Sequence, residues 1–477
     1  MRESSDVTDP TTISIAGAAL GRDDAPPTES LALVIAWCAD DPQRVGEVAL
    51  FSDRGAPQTL GRGKGDGEPR VRFFRQRPNR LLPTEPLVGL PLSRRQLTVT
   101  PKSGTLLVER EGRCELVVNG VPTEKAVVGP NDTVLLRGQL LLLCTRRVAS
   151  IPKNTYFAEN SFGAFGDPDA VGILGEAPAI WQLREQLAFA ANAGKHVLLH
   201  GESGTGKELA ARAVHALSSR SREPFIARNA ATLPSGLIDA ELFGNAKNYP
   251  NPGMSERGGL VGQADGGTLF LDEIAEIPVE QQAHLLRVLD ADGEYQRFGE
   301  AQSRRSDFIL VGATNRAVSS LKHDLAARLT LRLELPVLDA RREDIPLFVR
   351  HLLLLAAKKS PQIAGRFLEE SPGGRLEPRV DPALVEELLV RGYETHIREL
   401  DALLWRAMAG SPGDTVLLTH ELRKESRGRE TEPSAEQIRA AIKGGGSVQS
   451  AARALGLKSR YALYRLMKKH GIASDEE

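Results

Sequence analysis

The chain is 477 residues long, more than one hydrophobic core normally organises, so several domains are expected. Its 61 Lys and Arg residues balance its 62 Asp and Glu residues, so overall charge does not indicate a nucleic-acid or membrane partner and any basic patch must be local. The three cysteines lack the spacing of a disulfide scaffold or a zinc site and are typical of a reducing cytosol. No apolar run approaches the length of a membrane span, so the sequence predicts a cytoplasmic protein with no membrane partner.

The first segments in chain order differ sharply in composition. Residues 1–29 are rich in Ser, Thr, Asp and Pro, a composition that predicts disorder. Residues 30–147 carry short apolar runs at regular spacing, which predicts a β-sandwich. The predicted strands cover residues 31–37, 47–51, 96–100, 106–109, 115–118 and 133–144.

Three short motifs in this segment follow one another in the order found in forkhead-associated (FHA) domains, which the segment resembles. The motifs are Leu60-Gly-Arg62-Gly, Leu92-Ser-Arg94-Arg-Gln96 and Val118-Asn-Gly120. The resemblance implies that Arg62 and Ser93 bind phosphothreonine, that Arg94 assists, and that Asn119 holds the peptide backbone. It also implies a phosphothreonine protein or a Ser/Thr kinase as partner. Gln96 stands where the family has histidine, Asn119 also matches the family's second, structural asparagine, and an inert sandwich remains the alternative.

After a predicted linker at residues 148–170, a glycine-rich segment indicates a phosphate site. Residues 196–200 form a short apolar strand pattern, and residues 208–217 have helical spacing. The glycines between them allow backbone N–H groups to face phosphate oxygens, the lysine adds a point charge, and the helix N-terminus adds a positive dipole end. The candidate residues are Gly201, Glu202, Ser203, Gly204, Thr205, Gly206, Lys207 and Glu208.

Two carboxylates follow a second predicted central strand at residues 268–271. Asp272, at the strand end, is a candidate magnesium ligand, and Glu273 is a candidate to orient or deprotonate an attacking water. An isolated Asp-Glu pair after a strand is also typical of a helix N-terminus with favourable charges. Its combination with the lysine loop favours the nucleotide interpretation.

Several ordered motifs make this region resemble the bacterial enhancer-binding activators, the sigma-54-interacting branch of the AAA+ ATPases. They include Glu241-Leu-Phe-Gly244, Ala313-Thr-Asn-Arg316 and Arg398-Glu-Leu400, and the family itself carries glutamate at the position of Glu208. The resemblance covers residues 172–409 and implies an α/β ATPase at residues 171–336 with a helical lid at residues 337–409. It further implies ATP and Mg²⁺, a homo-oligomeric ring expected to be a hexamer, and RNA polymerase holoenzyme as partner.

The resemblance also implies individual roles. Thr205 and Lys207 lie at the phosphates, and Asn229 restrains the catalytic glutamate until the ring is ready. Asn315 is the first sensor of the terminal phosphate, and Arg398, on the lid, is the second. Capping or turn chemistry is the alternative for the two asparagines.

The family's ring also uses two arginines that reach the nucleotide of the next subunit. Arg328 matches the second of them, whereas Lys322 stands at the first. Lys and Arg are not equivalent where developing charge is clamped, and an arginine finger contributes about 10³–10⁵ in rate. Either Lys322 is a weaker substitute or Arg328 acts alone, so we expect an active but slow ATPase.

The clearest departure from the family is the loop at residues 248–253. Relatives that act on sigma-54 carry Gly-Ala-Phe-Thr-Gly-Ala there, and this chain has Asn-Tyr-Pro-Asn-Pro-Gly. The phenylalanine and threonine that grip the sigma factor are absent, and two prolines remove backbone donors. We therefore expect that this ATPase does not remodel sigma-54 in the family's way; a tolerated surface variant, with Tyr249 replacing the aromatic one residue out of register, is the alternative.

The last segment, residues 434–477, follows a predicted linker at residues 410–433 and carries three helical patterns with short glycine breaks, as in a helix-turn-helix. It resembles the Fis-type DNA-binding end of the same activators, which implies a dimer on an approximately palindromic site. A solvated amphipathic helix is the alternative for its basic third helix. The candidate DNA-binding residues are Lys458, Ser459, Arg460, Tyr461, Tyr464, Arg465, Lys468 and Lys469.

Together these patterns predict a multidomain regulator with a β-sandwich, a P-loop α/β ATPase with a helical lid, and an all-α DNA-binding end. The expected function is ATP-powered control of transcription under phosphothreonine recognition. The alternatives are a conventional sigma-54-dependent activator and a nucleotide-gated repressor or scaffold with little ATP turnover.

Overall fold

The computed structural model describes residues 13–14, 29–64, 67–234, 236–249, 251–290, 292–371, 374–430 and 438–442, together with residues 451, 455, 463 and 467. Most of the segment predicted to be disordered lies outside these residues. Its described part includes strand β1 (Ile13–Ser14), which pairs in parallel with Leu331 and Arg332 of the ATPase core. Glu29 already belongs to the first strand of the next domain.

The N-terminal domain is a β-sandwich, as predicted. Its strands are β2 (Glu29–Cys38), β3 (Val48–Phe51), β4 (Gln58–Leu60), β5 (Phe74–Arg77), β6 (Arg80–Pro83), β7 (Leu97–Lys102), β8 (Thr105–Arg110), β9 (Leu116–Val118), β10 (Val121–Thr123), β11 (Lys125–Val128), β12 (Thr133–Leu136) and β13 (Leu140–Val148). The antiparallel order β10-β9-β12-β13-β2-β3-β5-β6 forms one sheet, and β11-β8-β7-β4 forms the other. The single strand predicted at residues 133–144 is a hairpin, because Gly138 takes a left-handed conformation with φ +70°.

Side chains along β2 alternate between the two faces of the larger sheet, and the two faces pack against different parts of the protein. Leu31, Leu33 and Ile35 point into the core between the two sheets. Ala36, on the opposite face of the same strand, belongs to a hydrophobic cluster that includes the helices of the lid. The larger sheet is therefore buried on both faces along part of its length, and the sandwich is packed against the ATPase.

The ATPase core is the predicted α/β domain. Its elements are α1 (Pro178–Ala193), β14 (Val197–His200), α2 (Lys207–Leu217), β15 (Phe225–Asn229), α3 (Ile238–Phe243), α4 (Gly259–Gln263), β16 (Thr268–Asp272), α5 (Val279–Val288), β17 (Glu294–Gln296), β18 (Ser303–Arg305), β19 (Ile309–Thr314), α6 (His323–Arg328) and β20 (Leu331–Glu334). A parallel sheet runs in the order β1-β20-β14-β19-β16-β15, so β14, β19 and β16 lie side by side at its centre. The strands predicted at residues 196–200 and 268–271 are confirmed as β14 and β16, and their carboxyl ends share one edge of the sheet.

The lid follows a 3-10 helical segment at Leu338–Asp344 that is kinked at Arg341. It contains α7 (Ile345–Lys359), α8 (Pro361–Ala364), the hairpin strands β21 (Leu368–Glu370) and β22 (Leu376–Pro378), α9 (Pro382–Val390) and α10 (His396–Gly410). A further helix, α11 (His420–Glu430), lies where the sequence predicts a linker. Leu422 of α11 is buried in the lid cluster, so one apolar residue docks a segment that otherwise has a polar, linker-like composition.

At the C-terminal end, Ile438, Ala451, Leu463 and Met467 are buried together in a small hydrophobic cluster. This grouping is compatible with the predicted packing of short helices. The candidate DNA-binding residues between 458 and 469 lie outside the described residues. Within the part of the chain that is described, no helix combines the length and apolarity needed to cross a membrane.

Candidate functional site

The phosphate loop connects the end of β14 to the start of α2. Gly204 and Gly206 have φ values of +86° and +102°, which side chains rarely tolerate. A methyl group on Gly204 would also collide with the carbonyl oxygen of Thr395 on the lid. Glycine at this position therefore serves both the turn and the close approach of the lid.

Lys207 is buried at the first position of α2. Its Nζ donates to the carbonyl oxygens of Gly201, at 2.9 Å, and Glu202, at 3.2 Å. Thr205 is also buried, and its Oγ1 donates to the carbonyl oxygen of Glu202 at 2.9 Å. Glu208 forms an ion pair with Arg212, one helical turn later, at 2.9 Å. The side chain next to Lys207 therefore lies on the surface of α2.

The two carboxylates meet the lysine at the sheet edge. Glu273 has φ +50° and carries its Oε1 to within 3.9 Å of Lys207 Nζ. Its Oε2 accepts from the backbone N–H of Asn315 at 3.4 Å. Asn229 contacts Asp272 instead, with 3.4 Å between Nδ2 and Oδ2, while its own Oδ1 caps the turn at Ala231 N–H at 2.9 Å.

The lid completes the site from the opposite side. Arg398 Nη1 donates to Ser203 Oγ at 3.2 Å. His396 was not among the predicted residues, yet its Nε2 lies 3.1 Å from Glu202 Oε2 and its side chain is buried. The only sequence indication for His396 is its place two residues before Arg398.

The phosphate loop from Ser203 onward, the two carboxylates and Arg398 line one cavity of about 420 Å³. Its polar end is formed by residues 203–208 with Asn229, Asp272, Glu273 and Arg398. The apolar walls are formed by Ile173, Leu174, Ile180, Leu183, Phe348, Leu352, Leu355 and Ile397. A polar end of backbone donors and one lysine suits phosphates, and an apolar end suits a flat base.

A buried ion pair holds the apolar wall in place. Arg184 of α1 pairs with Asp169 at 2.7 Å and donates to the carbonyl oxygens of Ile173 and Gly175, each at 2.8 Å. Asp169 in turn accepts from the N–H of Ile173 at 2.9 Å. The predicted linker therefore ends in Asp169, which is fixed against α1 and supports the wall residue Ile173.

Lys322 and Arg328 lie elsewhere on the core. Lys322 precedes α6, with its N–H donating to Gln282 Oε1 at 2.8 Å. Arg328 ends α6 and forms an exposed ion pair with Asp290 at 2.6 Å. Among the described residues, neither is part of the cavity lining of its own chain.

One buried side chain forms hydrogen bonds to the backbone of the segment at residues 245–254. Asn245 is fully buried, and its Nδ2 lies 3.0–3.1 Å from the carbonyl oxygens of Ala246, Tyr249 and Ser255. The Tyr249 ring stacks on Phe298 beside the β17–β18 hairpin, with 6.3 Å between ring centroids and 14° between ring planes. Both rings are exposed, at 41% and 39%, so this surface presents an aromatic pair to solvent.

The sandwich carries a second polar cluster. Arg62 N–H donates to the carbonyl oxygen of Ser93 at 3.1 Å, and Ser93 Oγ accepts from Arg113 N–H at 3.0 Å. The buried Gln96 joins the same loops, because its Oε1 accepts from the N–H groups of Ser93 and Cys114, both at 3.3 Å. Gln96 thus braces the loops from the position where a histidine was expected.

Two arginines of this cluster were not predicted. Arg113 follows Gly112 in the loop before β9, and Arg70 donates to the carbonyl oxygens of Arg62, at 3.2 Å, and Arg94, at 2.9 Å. Arg62 Nε is buried, and it has no hydrogen-bond partner among the residues that the structure describes. The cluster is therefore a basic surface with an unused donor at its centre.

Asn119 lies at the other end of β9 from Arg113. Its Nδ2 donates to Asp132 Oδ1 at 2.8 Å, and its Oδ1 accepts from Thr133 N–H at 2.9 Å. The structure places Arg62, Ser93 and Arg94 in one group of loops and Asn119 in a separate hairpin. The contacts of Asn119 are those of a turn-stabilising side chain.

Comparisons with known proteins agree with the geometry of the ATPase site. Residues 173–339 match the family model described as "Sigma-54 interaction domain". The transcriptional regulatory protein ZraR of Salmonella typhimurium is 34% identical over 317 residues, covering 62% of this chain and 68% of ZraR. The DNA-binding transcriptional regulator NtrC of Klebsiella pneumoniae is 43% identical over 194 residues, covering 39% of this chain and 41% of NtrC.

A solved structure of NtrX from Brucella abortus in complex with ATP is 29% identical, with a TM-score of 0.45, covering 66% of this chain and 70% of that one. The sequence matches, rather than this superposition, carry the assignment. The chain belongs to the sigma-54 interaction domain family of AAA+ transcriptional regulators.

Proposed function

We propose that this chain is a DNA-binding transcriptional regulator whose subunits form a ring that hydrolyses ATP, under the control of phosphothreonine recognition by the sandwich. AAA+ sigma-54 activator domains are ATPases, and the chain belongs to that family. The observation that carries the proposal is the convergence of Lys207, Asp272, Glu273 and Arg398 on one cavity. The start of α2, the end of β16 and the lid supply these groups.

The residues present fit a magnesium nucleotide. Asp272 offers carboxylate oxygens, the ligands that Mg²⁺ prefers, and the P-loop offers backbone donors and Lys207 for phosphates. When bound, Mg²⁺ supplies positive charge that neutralises the phosphate oxygens. Glu273 takes a proton from the attacking water, and Lys207 holds the terminal phosphates. Arg398 ties the lid to the occupied loop.

Hydrolysis in this proposal is completed by the neighbouring subunit. Arg328 is exposed, lies outside its own nucleotide cavity and ends a short helix, as a group that acts in the next subunit must. Its partner Asp290 is equally exposed, so the ion pair costs little to exchange for a phosphate. Lys322, half-buried at the start of α6, is the weaker second cation.

We further propose that the ring does not grip sigma-54 in the family's way. The loop at residues 248–253 lacks the phenylalanine and threonine of relatives, and Asn245 holds its base through three carbonyl groups. A loop fixed in this manner is less free to rise on ATP binding. A conventional sigma-54 contact is the second candidate, favoured by the exposed stack of Tyr249 on Phe298.

A reporter fused to a target promoter, measured in strains with and without sigma-54, separates these two candidates. Our proposal expects equal activation in both strains. Loss of activation without sigma-54 would show that the altered loop still engages that factor. In that case Tyr249→Ala should abolish activation while leaving ATP turnover unchanged, and Tyr156→Ala, at another exposed tyrosine, is the control.

Contacts between the sandwich and the ATPase support the proposed control by phosphothreonine. The carboxylate of Glu386 on lid helix α9 accepts from Thr133 Oγ1 at 2.6 Å and from Gly120 N–H at 3.2 Å. On the core side, Arg77 of β5 pairs with the buried Glu176 at 2.6 Å. Because the sandwich touches both lid and core, a change in its loops can alter the angle at which the lid meets the P-loop.

The proposed sensor is tested by pull-down with a phosphothreonine peptide library. Arg62→Ala should abolish capture because Arg62 supplies the unused buried donor at the centre of the basic loops. Arg137→Ala, in the β12–β13 hairpin, removes an exposed arginine elsewhere in the sandwich and should leave capture unchanged. Equal capture by wild type and Arg62→Ala would remove Arg62 from the proposal.

The DNA-binding end and the scaffold alternative are tested together. We propose that the residues between 458 and 469 named above contact DNA as a dimer. A hydrolysis-deficient chain that still binds DNA should lose promoter control if ATP turnover drives the function. Unchanged promoter control in that variant would favour a nucleotide-gated repressor or scaffold.

A further inference from the structure

The start of lid helix α10 covers the nucleotide cavity and rests on the phosphate loop. Ile397 and Arg398 line the cavity. Arg398 also donates to Ser203, and the carbonyl group of Thr395 packs against Gly204. Movement of this end of the helix away from the loop therefore opens the cavity.

His396 makes a further contact with the loop, and the function proposed above gives that contact no role. Its Nε2 lies 3.1 Å from Glu202 Oε2, and because a carboxylate only accepts, Nε2 carries the proton and donates it. The histidine side chain is 2% exposed, and its Nδ1 is buried with no hydrogen-bond partner among the described residues. A polar ring atom buried in this way is unfavourable, so packing alone does not explain a histidine here.

The backbone at His396 is also strained. Its φ of +48° lies in the left-handed region, which residues other than glycine and asparagine rarely adopt. The turn is fixed by Glu399, whose Oε2 accepts from the N–H groups of Glu394 and Thr395 at 2.8 and 3.3 Å. Such strain persists where the surroundings fix it, and it clusters at functional sites.

Glu202 connects the histidine to the phosphate-binding lysine. Its backbone carbonyl oxygen accepts from Lys207 Nζ at 3.2 Å and from Thr205 Oγ1 at 2.9 Å. Its side chain is 63% exposed, and His396 ties it to the lid. One residue of the loop is thus bonded both to the lid and to the group that faces the phosphates.

We propose that His396 is a positioning residue that latches the lid onto the phosphate loop through Glu202 and slows the release of bound nucleotide. The inference rests on the function proposed above, because it assigns the latch to the nucleotide cavity. Among the described residues, His396 is not part of the cavity lining, so it acts through Glu202 and α10 rather than on the phosphates. The contact forms when α10 lies on the loop and breaks before the cavity opens.

Stopped-flow dissociation of a fluorescent ATP analogue from the full chain tests the latch. His396→Asn is the decisive variant, because asparagine tolerates the left-handed backbone but is shorter than the imidazole. We expect release about tenfold faster than from wild type, as for the loss of one hydrogen bond to a charged group. The thermal unfolding midpoint should be unchanged or higher, because the strain is relieved. His420→Asn, at the exposed first residue of α11, is the matched control and should release the analogue at the wild-type rate.

A conservative variant separates positioning from a purely structural role. The amide of His396→Gln can donate to Glu202 as the imidazole does, so release should stay within about threefold of wild type although the backbone strain remains. A purely structural role predicts the opposite order, with asparagine the better substitute. Glu202→Ala should release as fast as His396→Asn, and the double variant should be no faster than either, since all three lack the same contact.

Two outcomes would overturn the latch in a chain that binds the analogue. The first is wild-type release from His396→Asn, and the second is a double variant whose effect is the product of the two single effects. Because Glu202 is exposed, Glu202→Ala remains decisive if substitution of the buried histidine prevents folding. A wild-type chain that does not bind the analogue would instead overturn the proposed function, and this inference with it.

Discussion

The nucleotide cavity and the segment at residues 245–254 lie in the same α/β core but are built in different ways. In the cavity, Asp272 and Glu273 lie at the end of a central strand, and Lys207 begins the helix that follows the phosphate loop, so the sheet and that helix position them. In the segment, the backbone is held by Asn245 and by the stack of Tyr249 on Phe298. The first region carries the groups on which the proposed nucleotide chemistry depends, and the second carries the loop for which we propose a departure from the family.

The difference indicates where such a protein is free to change. A residue at a strand end cannot be replaced without losing its alignment with the phosphates, because nothing else reaches that point. A surface segment can acquire a new set of side-chain supports and present a different contact. Substitutions at the nucleotide cavity and substitutions in the segment at residues 245–254 should therefore have separate effects.

The largest effect on ATP turnover is expected from Glu273→Gln. The amide keeps the shape of the side chain but cannot take a proton, so ATP turnover should fall by on the order of 10⁴-fold while nucleotide affinity stays within about twofold. Steady-state phosphate release and equilibrium nucleotide binding measure the two effects. The control is Glu276→Gln, which removes a half-buried carboxylate that lies one turn after Glu273 and pairs with Arg316. Turnover that survives in Glu273→Gln would remove the catalytic assignment.

A slightly smaller effect is expected from Arg328→Ala. Loss of a trans-acting arginine should lower turnover by about 10³-fold, the lower end of the range for such fingers, because Lys322 remains as a second cation. Mixing Arg328→Ala subunits with Glu273→Gln subunits should restore part of the activity, since each Glu273→Gln neighbour supplies an intact arginine. Mixed rings that stay inactive would indicate that Arg328 does not act between subunits.

Low pH should destabilise the folded ATPase core through protonation of His196. Burial, assisted by nearby cations such as Lys195, lowers the pKa of His196 to about 4, and its Nδ1 accepts from Leu310 N–H at 3.0 Å. The unfolded chain, with an ordinary histidine pKa near 6.5, therefore binds more protons between these values. The stabilisation is present above pH 6.5 and is lost as pH falls towards 4.

We expect wild type to lose on the order of 2–3 kcal/mol of unfolding free energy between pH 7 and pH 4.5 from this residue. His196→Asn retains an acceptor near the Nδ1 position and should flatten that part of the profile. Denaturant melts of both proteins at several pH values measure the difference, in which the other titrating groups cancel. Parallel profiles would show that His196 is not the source.

The smallest effect should be that of Asn245→Ala. Removing its amide leaves three carbonyl groups without that donor, which should lower the unfolding free energy by about 1–2 kcal/mol. ATP turnover should remain within about twofold, because the segment does not line the nucleotide cavity. Asn192→Ala, which removes one bond to Ala188 on an exposed helix surface, is the control. If ATP turnover in Asn245→Ala fell as far as in Glu273→Gln, the segment and the nucleotide cavity would not act separately.

Local patterns predicted the ATPase core well. β14, α2 and β16 lie where apolar runs and helical spacing placed them, because buried parallel strands and an amphipathic helix have short, distinctive periods. The hairpin at residues 133–148 and helix α11 were missed. In the first a single left-handed glycine decides the turn, and in the second one buried leucine docks a polar segment.

The candidate sites were predicted unevenly for the same reason. The two strand-end carboxylates are adjacent in sequence, so locating the end of the strand locates both of them. The grouping of Arg62 with Arg70 and Arg113 depends on three loops meeting, and the pairing of His396 with Glu202 joins residues 194 positions apart. The role predicted for Asn229 stays a prediction, since its amide contacts Asp272 and caps a turn.

The sequence by itself determined that this chain carries a nucleotide-binding engine, because a glycine-lysine loop and a strand-end carboxylate pair act through local backbone geometry. It also predicts that the segment at residues 248–253 departs from its family. Only the tertiary structure decided that the lid closes on Gly204, that the sandwich bridges lid and core, and that His396 meets Glu202. Those features depend on contacts between segments that are distant in sequence. The packing of whole surfaces decides such contacts, and it leaves no local periodic pattern in the sequence.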